Sequence, residues 1–407
     1  VSFILSKIAS NKSISARRVI IIANYFPDRQ ESMLKLADMF CAVLEECGLE
    51  VEVLRPIDWI GRARAFFPSF QKWLGYVDKY IIFSFKLLVH KWRMRDRTDL
   101  VYHIVDHSNA IYSFLLSDRP HIVTCNDVLA IRSALGEIPE NPTKLTGRVL
   151  QKSILAGLRR TPRVVCISKN SQNELSRLLR EQKPKITSVS LPLNFDFHPL
   201  AREEAMGYLR CLGNALSWVG EAGFILHIGG NQWYKNRIGV LKIFAELCFM
   251  RSNIGLPLVP LLLAGKEPSE ELRRFVEENH KVPIHFVVDP STPALRALYS
   301  LAKIFVFPSL QEGFGWPILE SMACGCPVVT TGRPPMTEVG GSAAIYIKPE
   351  KVADSARVLN DILEWPAQKH SDCVEKGFKN LRRFTRENFT AHYLAAYSDV
   401  LKEQSKF

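Results

Sequence analysis

Short, continuous apolar runs recur along the chain, each ending at polar or turn-forming residues. Residues 18–24 read as a buried strand; a proline-bearing loop follows, then apolar positions at helical spacing over 33–44. Similar strand-like runs stand at 49–54, 100–105, 121–124 and 163–168. Runs that are apolar throughout, rather than alternating, suit strands covered on both faces, as in a parallel sheet flanked by helices. After a polar, proline-bearing stretch at 192–204, a second series appears at 224–228, 258–264, 284–288, 304–307, 327–330 and 344–347. The pattern predicts an α/β chain with two doubly wound sheets, in domains spanning 1–198 and 199–385. The tail from 352 to 404 reads as helical, with Phe384, Phe389, Tyr393, Tyr397 and Leu401 near helical spacing. Its end, 386–407, is expected to cross back and pack on the first domain. In such sheets ligands sit beyond the carboxyl ends of the strands, so the loops 229–236, 265–268 and 308–315 should converge, and a cleft between the domains is the expected site.

A chain of 407 residues exceeds what one hydrophobic core usually serves, which agrees with two domains. A hydrophobic share of 47% with 23% charged residues excludes a disordered or collagen-like chain. The nine cysteines are odd in number and scattered, several within apolar segments such as those holding Cys41, Cys166 and Cys248; a reducing compartment suits them better than a disulfide framework. Cys324 and Cys326 have no second pair or histidines nearby at zinc-site spacing, so no metal is expected there. No run approaches the roughly 20 apolar residues of a membrane helix, and Val1–Ser10 is short for a signal peptide. A cytoplasmic protein is expected. The net charge of +12 points to anionic partners, whether nucleic acid, an acidic membrane or phosphorylated substrates, without choosing among them.

The segment with the most chemistry follows the strand at 304–307. It runs Pro308-Ser309-Leu310-Gln311-Glu312-Gly313-Phe314-Gly315-Trp316-Pro317-Ile318-Leu319-Glu320 and sets two carboxylates on either side of a glycine-rich turn. Pro317 suits the first turn of a helix that would stop at Gly325. The amides of Gly313, Phe314 and Gly315 would then stand at the helix N-terminus, where a diphosphate is favoured. Glu320, one turn in, suits ribose hydroxyls and Glu312 suits sugar hydroxyls, since carboxylates accept from diols in bidentate fashion. Taken singly, either glutamate would be read as a loop or capping acid; the pair with its surroundings carries more.

This segment resembles the signature of family-4 glycosyltransferases of the GT-B fold, in which seven residues separate two glutamates. The neighbouring letters, from Pro308 and Ser309 through Met322-Ala323-Cys324-Gly325-Cys326-Pro327-Val328-Val329, fit as well. A second match is His227-Ile228-Gly229-Gly230-Asn231-Gln232-Trp233-Tyr234-Lys235-Asn236. The resemblance implies two Rossmann-like domains and retaining transfer of a hexose-type sugar from a nucleotide diphosphate sugar, UDP- or GDP-linked, to a hydroxyl of a glycan, glycolipid or small acceptor. Bacterial glycan, polysaccharide or glycolipid synthesis is the implied setting. It further implies that Gly229, Gly230, Asn236, Gly313, Phe314, Gly315 and Glu320 bind the donor, that Glu312 orients the sugar and that Lys235 neutralises charge on the departing diphosphate. Tyr234 stands where an arginine is common, with Arg237 nearby as a substitute. The chain has no Asp-any-Asp triplet for a divalent metal, so neither metal nor other cofactor is expected.

In the first domain, 101–109 and 123–127 both read as strand ends opening into the cleft. By resemblance His107 and Asp127 are catalytic candidates, with Asp106, Asn126, Gln30 and Ser32 on the acceptor side. Asn126-Asp127 replaces a common His-Asp pair, and Asn24 to Ser32 replaces the usual glycine pair after the first strand. Residues 61–97 mix Arg62, Arg64, Lys72, Lys79, Lys86, Lys91, Arg93, Arg95 and Arg97 with Phe66, Phe67, Trp73, Tyr76, Phe83 and Trp92. This composition fits either peripheral contact with an anionic membrane or helices packed on the sheet with a solvated basic face. Two rivals remain: a nucleotide-sugar epimerase, which would alter the donor without acceptor, and a polyanion-binding protein, which would show salt-dependent binding without turnover. No recognised nucleic-acid module is present, so no nucleic-acid partner is expected.

Overall fold

The computed structural model describes residues 16–62, 71–179, 184–210, 219 and 223–404. Val1–Ser10, Arg64, Phe66 and Phe67 lie outside the described residues, as does the side chain of Lys72. Two compact units emerge, one of residues 1–194 with 386–407 and one of 195–385, so the division falls at Asn194 and Phe195 rather than at 198 and 199.

The first unit is built on β1 (Arg18–Ile22), β2 (Glu50–Leu54), β3 (Leu100–Ile104), β4 (His121–Cys125), β5 (Arg163–Cys166) and β6 (Lys185–Ser188), ordered β2-β1-β3-β4-β5-β6 and parallel throughout. Val19 to Ile22 are fully buried between β2 and β3, with helices over both faces, which is why the run shows no alternation. Phe83, Leu87, Ile154 and Leu158 from flanking helices join Ile20, Ile22 and Ile104 in one core. β6 has no strong apolar signal because it is an edge strand, only partly buried.

The second unit is built on β7 (Ile225–Gly229), β8 (Leu261–Gly265), β9 (Ile284–Val288), β10 (Ile304–Phe307), β11 (Val328–Thr331) and β12 (Ile345–Ile347), ordered β12-β11-β10-β7-β8-β9, again all parallel. This is the doubly wound nucleotide-binding order, with its reversal between β7 and β10. In the first sheet the reversal falls between β1 and β3. At each reversal the connections leave toward opposite faces and open a crevice at the carboxyl ends of the two strands.

The helical tail consists of three helices, Val352–Leu363, Ala367–Leu381 and Arg386–Gln404. Pro366 lacks an amide hydrogen and crowds the preceding turn, which accounts for the first break. The last helix groups with the first unit, against β3, β4 and the helix Glu31–Glu46. A buried polar chain fastens it. The Tyr397 hydroxyl lies 2.8 Å from His103 Nδ1, His103 Nε2 lies 2.8 Å from Thr124 Oγ1, and the Tyr393 hydroxyl lies 2.9 Å from the same Thr124 oxygen. Burial lowers the His103 pKa to about 3, so the ring is neutral and uses one nitrogen as donor and one as acceptor. Tyr397→Phe strands a buried ring nitrogen; the expected loss is about 1–3 kcal/mol of stability, read as a lower melting temperature by circular dichroism.

Candidate active site

In the second unit the loops after β7 and β10 flank the reversal of strand order. The first makes a 3-10 turn over Trp233–Lys235, then passes through Asn236 at φ 54° into the helix Arg237–Asn253. Asparagine tolerates this left-handed conformation better than most residues. Its side-chain amide donates to the Pro308 carbonyl at 3.1 Å, and the Leu310 amide donates to the Tyr234 carbonyl at 2.7 Å. The two loops are therefore stitched together, and Lys235 Nζ meets Glu312 Oε1 at 2.7 Å. The lysine is partly buried and the glutamate buried, with the rings of Tyr234 and Phe307 5.6 and 5.3 Å from the ammonium.

Gly229 and Gly230 end β7 and begin this loop. Gly265, at the end of β8, has φ 130°, and a Cβ there would stand 2.3 Å from the Gly229 carbonyl oxygen, so the two strand ends meet at a distance only glycine permits. After β10, Glu312 and Gly313 lead to Gly315, which caps the helix Trp316–Ala323 at φ 107°, with Pro317 in the first turn. The amides of Phe314 and Gly315 thus stand at the positive end of a helix. The Phe314 ring turns onto Phe384, 6.0 Å away and edge-on, so what Phe314 offers a ligand is its main chain.

Glu320 is buried one turn into that helix, and its Oε2 accepts a 2.9 Å hydrogen bond from the Tyr299 hydroxyl. Burial, and then the charge of Glu320, push the Tyr299 phenol well above its ordinary pKa, which keeps it a donor. Tyr299 is absent from the candidates drawn from sequence, because a tyrosine inside the helix Thr292–Leu301 reads as an ordinary core aromatic. Only the three-dimensional approach to Glu320 distinguishes it.

Several buried polar atoms here have no hydrogen-bond partner among the described residues: His227 Nε2, Ser309 Oγ, Gln311 Oε1, and Nε and Nη2 of Arg237. Arg237 opens its helix, and its Nη1 donates to Asn231 Oδ1 at 2.6 Å and to the Lys266 carbonyl at 3.0 Å. Burial pulls its pKa down. Buried polar groups are rarely left without partners, and their gathering at the ends of β7 and β10 marks where a polar, anionic ligand would complete them. Among the described residues, no group of three or more His, Cys, Asp or Glu is placed to hold a metal ion.

The first unit gathers its candidates at the reversal between β1 and β3. Asp106 is buried; its Oδ1 accepts from the Ser108 amide at 3.1 Å and Asn126 Nδ2 at 3.3 Å, its Oδ2 from Asn24 Nδ2 at 2.6 Å and Ser108 Oγ at 2.5 Å. A carboxylate offers about four acceptor sites, and these are filled from within. Asp106, expected on the acceptor side, ties together the ends of β1, β3 and β4 and sits 3.2 Å from His107 Nδ1. Burial works against a charged His107, yet the carboxylates of Asp106 and Asp127 push its pKa up. The ring is thereby held as a donor beside Asp106. Asn126 is buried with Nδ2 shared among Asp106, the Val105 carbonyl and Met33 Sδ, while its Oδ1 has no partner among the described residues. Gln30 is exposed and accepts from Asn24, Ser32 is exposed in the first turn of the following helix, and Asp127 Oδ1 takes the Leu129 amide at 2.9 Å.

Residues 214–380 match the family described as glycosyl transferases group 1. The chain is 28% identical over 314 residues to the O-antigen chain mannosyltransferase B of Escherichia coli, spanning 75% of this chain and 76% of that one. It is 36% identical over 112 residues to the serotype-specific mannosyltransferase WbdA of Escherichia coli, a match covering 26% of this chain and 13% of WbdA. Among solved structures, a UDP-forming trehalose-phosphate synthase from Burkholderia xenovorans superposes with a TM-score of 0.68 at 12% identity, covering 95% of this chain and 99% of that one. HepE from Anabaena, solved in complex with UDP and glucose, gives 0.63 at 16% identity over 95% and 99%. The matched segment lies within the unit that carries Lys235, Glu312 and Glu320. Residues 214–380 carry the likeness to the glycosyl transferases group 1, and the chain is a glycosyltransferase with the GT-B fold.

Proposed function

We propose that the protein is a retaining, metal-independent mannosyltransferase of bacterial glycan synthesis that draws on a nucleotide diphosphate sugar. The observation that carries this reading is the Lys235 to Glu312 pair at 2.7 Å, set beside the amides that open the helix Trp316–Ala323. On donor binding Lys235 would exchange Glu312 for the diphosphate, and Glu312 would turn to the sugar hydroxyls. The exchange costs little because each charge keeps a partner. Arg237, with two nitrogens open, would add a second positive contact on the same loop, the role Tyr234 cannot fill. Glu320, steadied by Tyr299, would hold the ribose. On the acceptor side, the open Oδ1 of Asn126, His107, Asp127 and the exposed Gln30 and Ser32 are the groups available.

Retention is proposed to follow from attack on the face the diphosphate leaves: the acceptor oxygen bonds to the anomeric carbon as the carbon–phosphate-oxygen bond breaks, and a phosphate oxygen of the donor takes the hydroxyl proton. Lys235 and Arg237 then stabilise the charge that builds on the leaving group, a contribution worth most in a site sheltered from water. Mannose is favoured because both sequence relatives above are named mannosyltransferases, and the same names favour transfer over the epimerase and polyanion-binding readings. The eight cysteines among the described residues are free and most of them buried, which suits the cytoplasmic side.

The donor is tested by thermal-shift titration with UDP-, GDP-, ADP- and dTDP-sugars, each nucleotide paired with mannose and with glucose. One nucleotide-mannose is expected to raise the melting temperature with concentration, as a ligand specific to the native state must. Equal shifts with mannose and glucose donors would remove the sugar assignment, and no shift with any of them would remove the donor reading.

A further inference from the structure

We propose that the helical run from Asp78 to Arg93 seats this protein on the surface of an anionic lipid bilayer. The run comprises a π-helical turn, Asp78–Ile82, continued by the α-helix Phe83–Arg93. Phe83, Leu87 and His90 face inward and are buried. The opposite side is not the solvated basic face that a simply packed helix would show. Ile81, Phe85, Leu88 and Trp92 stand there at intervals of four, three and four residues, exposed by 63%, 71%, 40% and 63%. That spacing places all four side chains within one narrow stripe of the helix. Such large side chains do not gather in the open on a helix face without a partner surface.

The flanks name the partner. Lys86 and Arg93 are exposed beside the stripe, and Arg95 follows it with its guanidinium 4.8 Å from the Trp92 ring. An apolar stripe edged by lysine and arginine is the arrangement that lies in a headgroup layer, apolar side chains dipping inward and cations meeting lipid phosphate. A second copy of the chain fits poorly, because a symmetric contact would set these basic edges against each other in a protein of formal net charge +12. The stripe is held rigidly at its start. Asp78 is buried, and its carboxylate accepts from the Tyr25 hydroxyl at 3.0 Å and from the amides of Trp59, Ile60 and Gly61 at 3.2, 3.0 and 2.8 Å. This brings exposed Ile57, Trp59 and Ile60 beside the beginning of the helix, widening the apolar area. Among the described residues no helix is long and apolar enough to cross a membrane, so the contact is one of lying on the surface.

The test is co-sedimentation of the full chain with vesicles of phosphatidylethanolamine and phosphatidylglycerol, against vesicles of phosphatidylcholine alone, at low and high salt. The wild-type protein is expected to bind the anionic vesicles and to lose affinity with salt. Phe85→Ser with Trp92→Ser should weaken binding roughly tenfold or more, since two large apolar groups no longer leave water. Lys86→Glu with Arg93→Glu should reduce the preference for anionic lipid. All four positions are exposed, so circular dichroism melts should match wild type, and donor-dependent turnover with a soluble acceptor should be unchanged. Equal binding by the apolar double variant and wild type, or no binding to anionic vesicles at low salt, would overturn the proposal. A wild-type dimer in sedimentation velocity that the same variant converts to monomer would overturn it in favour of a second copy.

Discussion

Lys235→Ala is expected to lower the rate of sugar transfer by roughly a hundred- to a thousandfold, the usual loss when a group aimed at developing charge is removed. The lysine is the cation paired with Glu312 at 2.7 Å, and the rings of Tyr234 and Phe307 beside the ammonium limit its access to water. Its removal also leaves the buried Glu312 carboxylate without its ion pair, so part of the loss could come from a disturbed loop. The double variant Lys235→Ala with Glu312→Gln separates the two effects. If the pair acts as a unit on the donor, the double variant is no slower than the worse single one, because groups that work together are not additive. Initial rates with saturating donor, measured below the melting temperature of each variant, provide the comparison; near-normal turnover by Lys235→Ala would remove the lysine from the mechanism.

Glu320→Ala is the second large effect, and it should appear mainly in the apparent affinity for the donor. The substitution removes the proposed ribose contact and strands the Tyr299 hydroxyl, which is fully buried. An apparent KM raised by roughly a hundredfold is expected, from hydrogen bonds to a charged group worth about 1.5–3 kcal/mol apiece. Tyr299→Phe keeps the carboxylate but frees it to turn, so its KM should lie between wild type and Glu320→Ala. A fall in kcat for Glu320→Ala with KM unchanged would place this glutamate at the reacting carbon instead of the ribose.

Much of the fold is legible in the sequence because parallel strands covered on both faces are apolar from end to end. The run 304–307 coincides with β10 and 284–288 with β9. What escapes is what has little to bury. β6 is an edge strand with one large apolar residue, and the breaks within the tail depend on Pro366 and on the turn near Phe384 and Thr385. Of the candidate site, the loops are legible because their residue types are constrained: glycine where Gly265 approaches Gly229 and where Gly315 caps a helix, proline in its first turn, two glutamates at fixed spacing. The pairings are not. Nothing in the sequence says that Lys235 reaches Glu312, 77 positions away, that Tyr299 supports Glu320, or that Asp106 spends its oxygens on Ser108, Asn24 and Asn126. These depend on which strand ends the sheet order makes neighbours, and that order is set by the whole core.

Hydrogen–deuterium exchange with and without the nucleotide-mannose selected by thermal shift tests the donor site most directly. Protection upon binding is expected at 229–237 and 308–320, the loops joined by Lys235 and Glu312 at the reversal between β7 and β10. Donor-dependent protection that leaves both segments unchanged and falls elsewhere would contradict it.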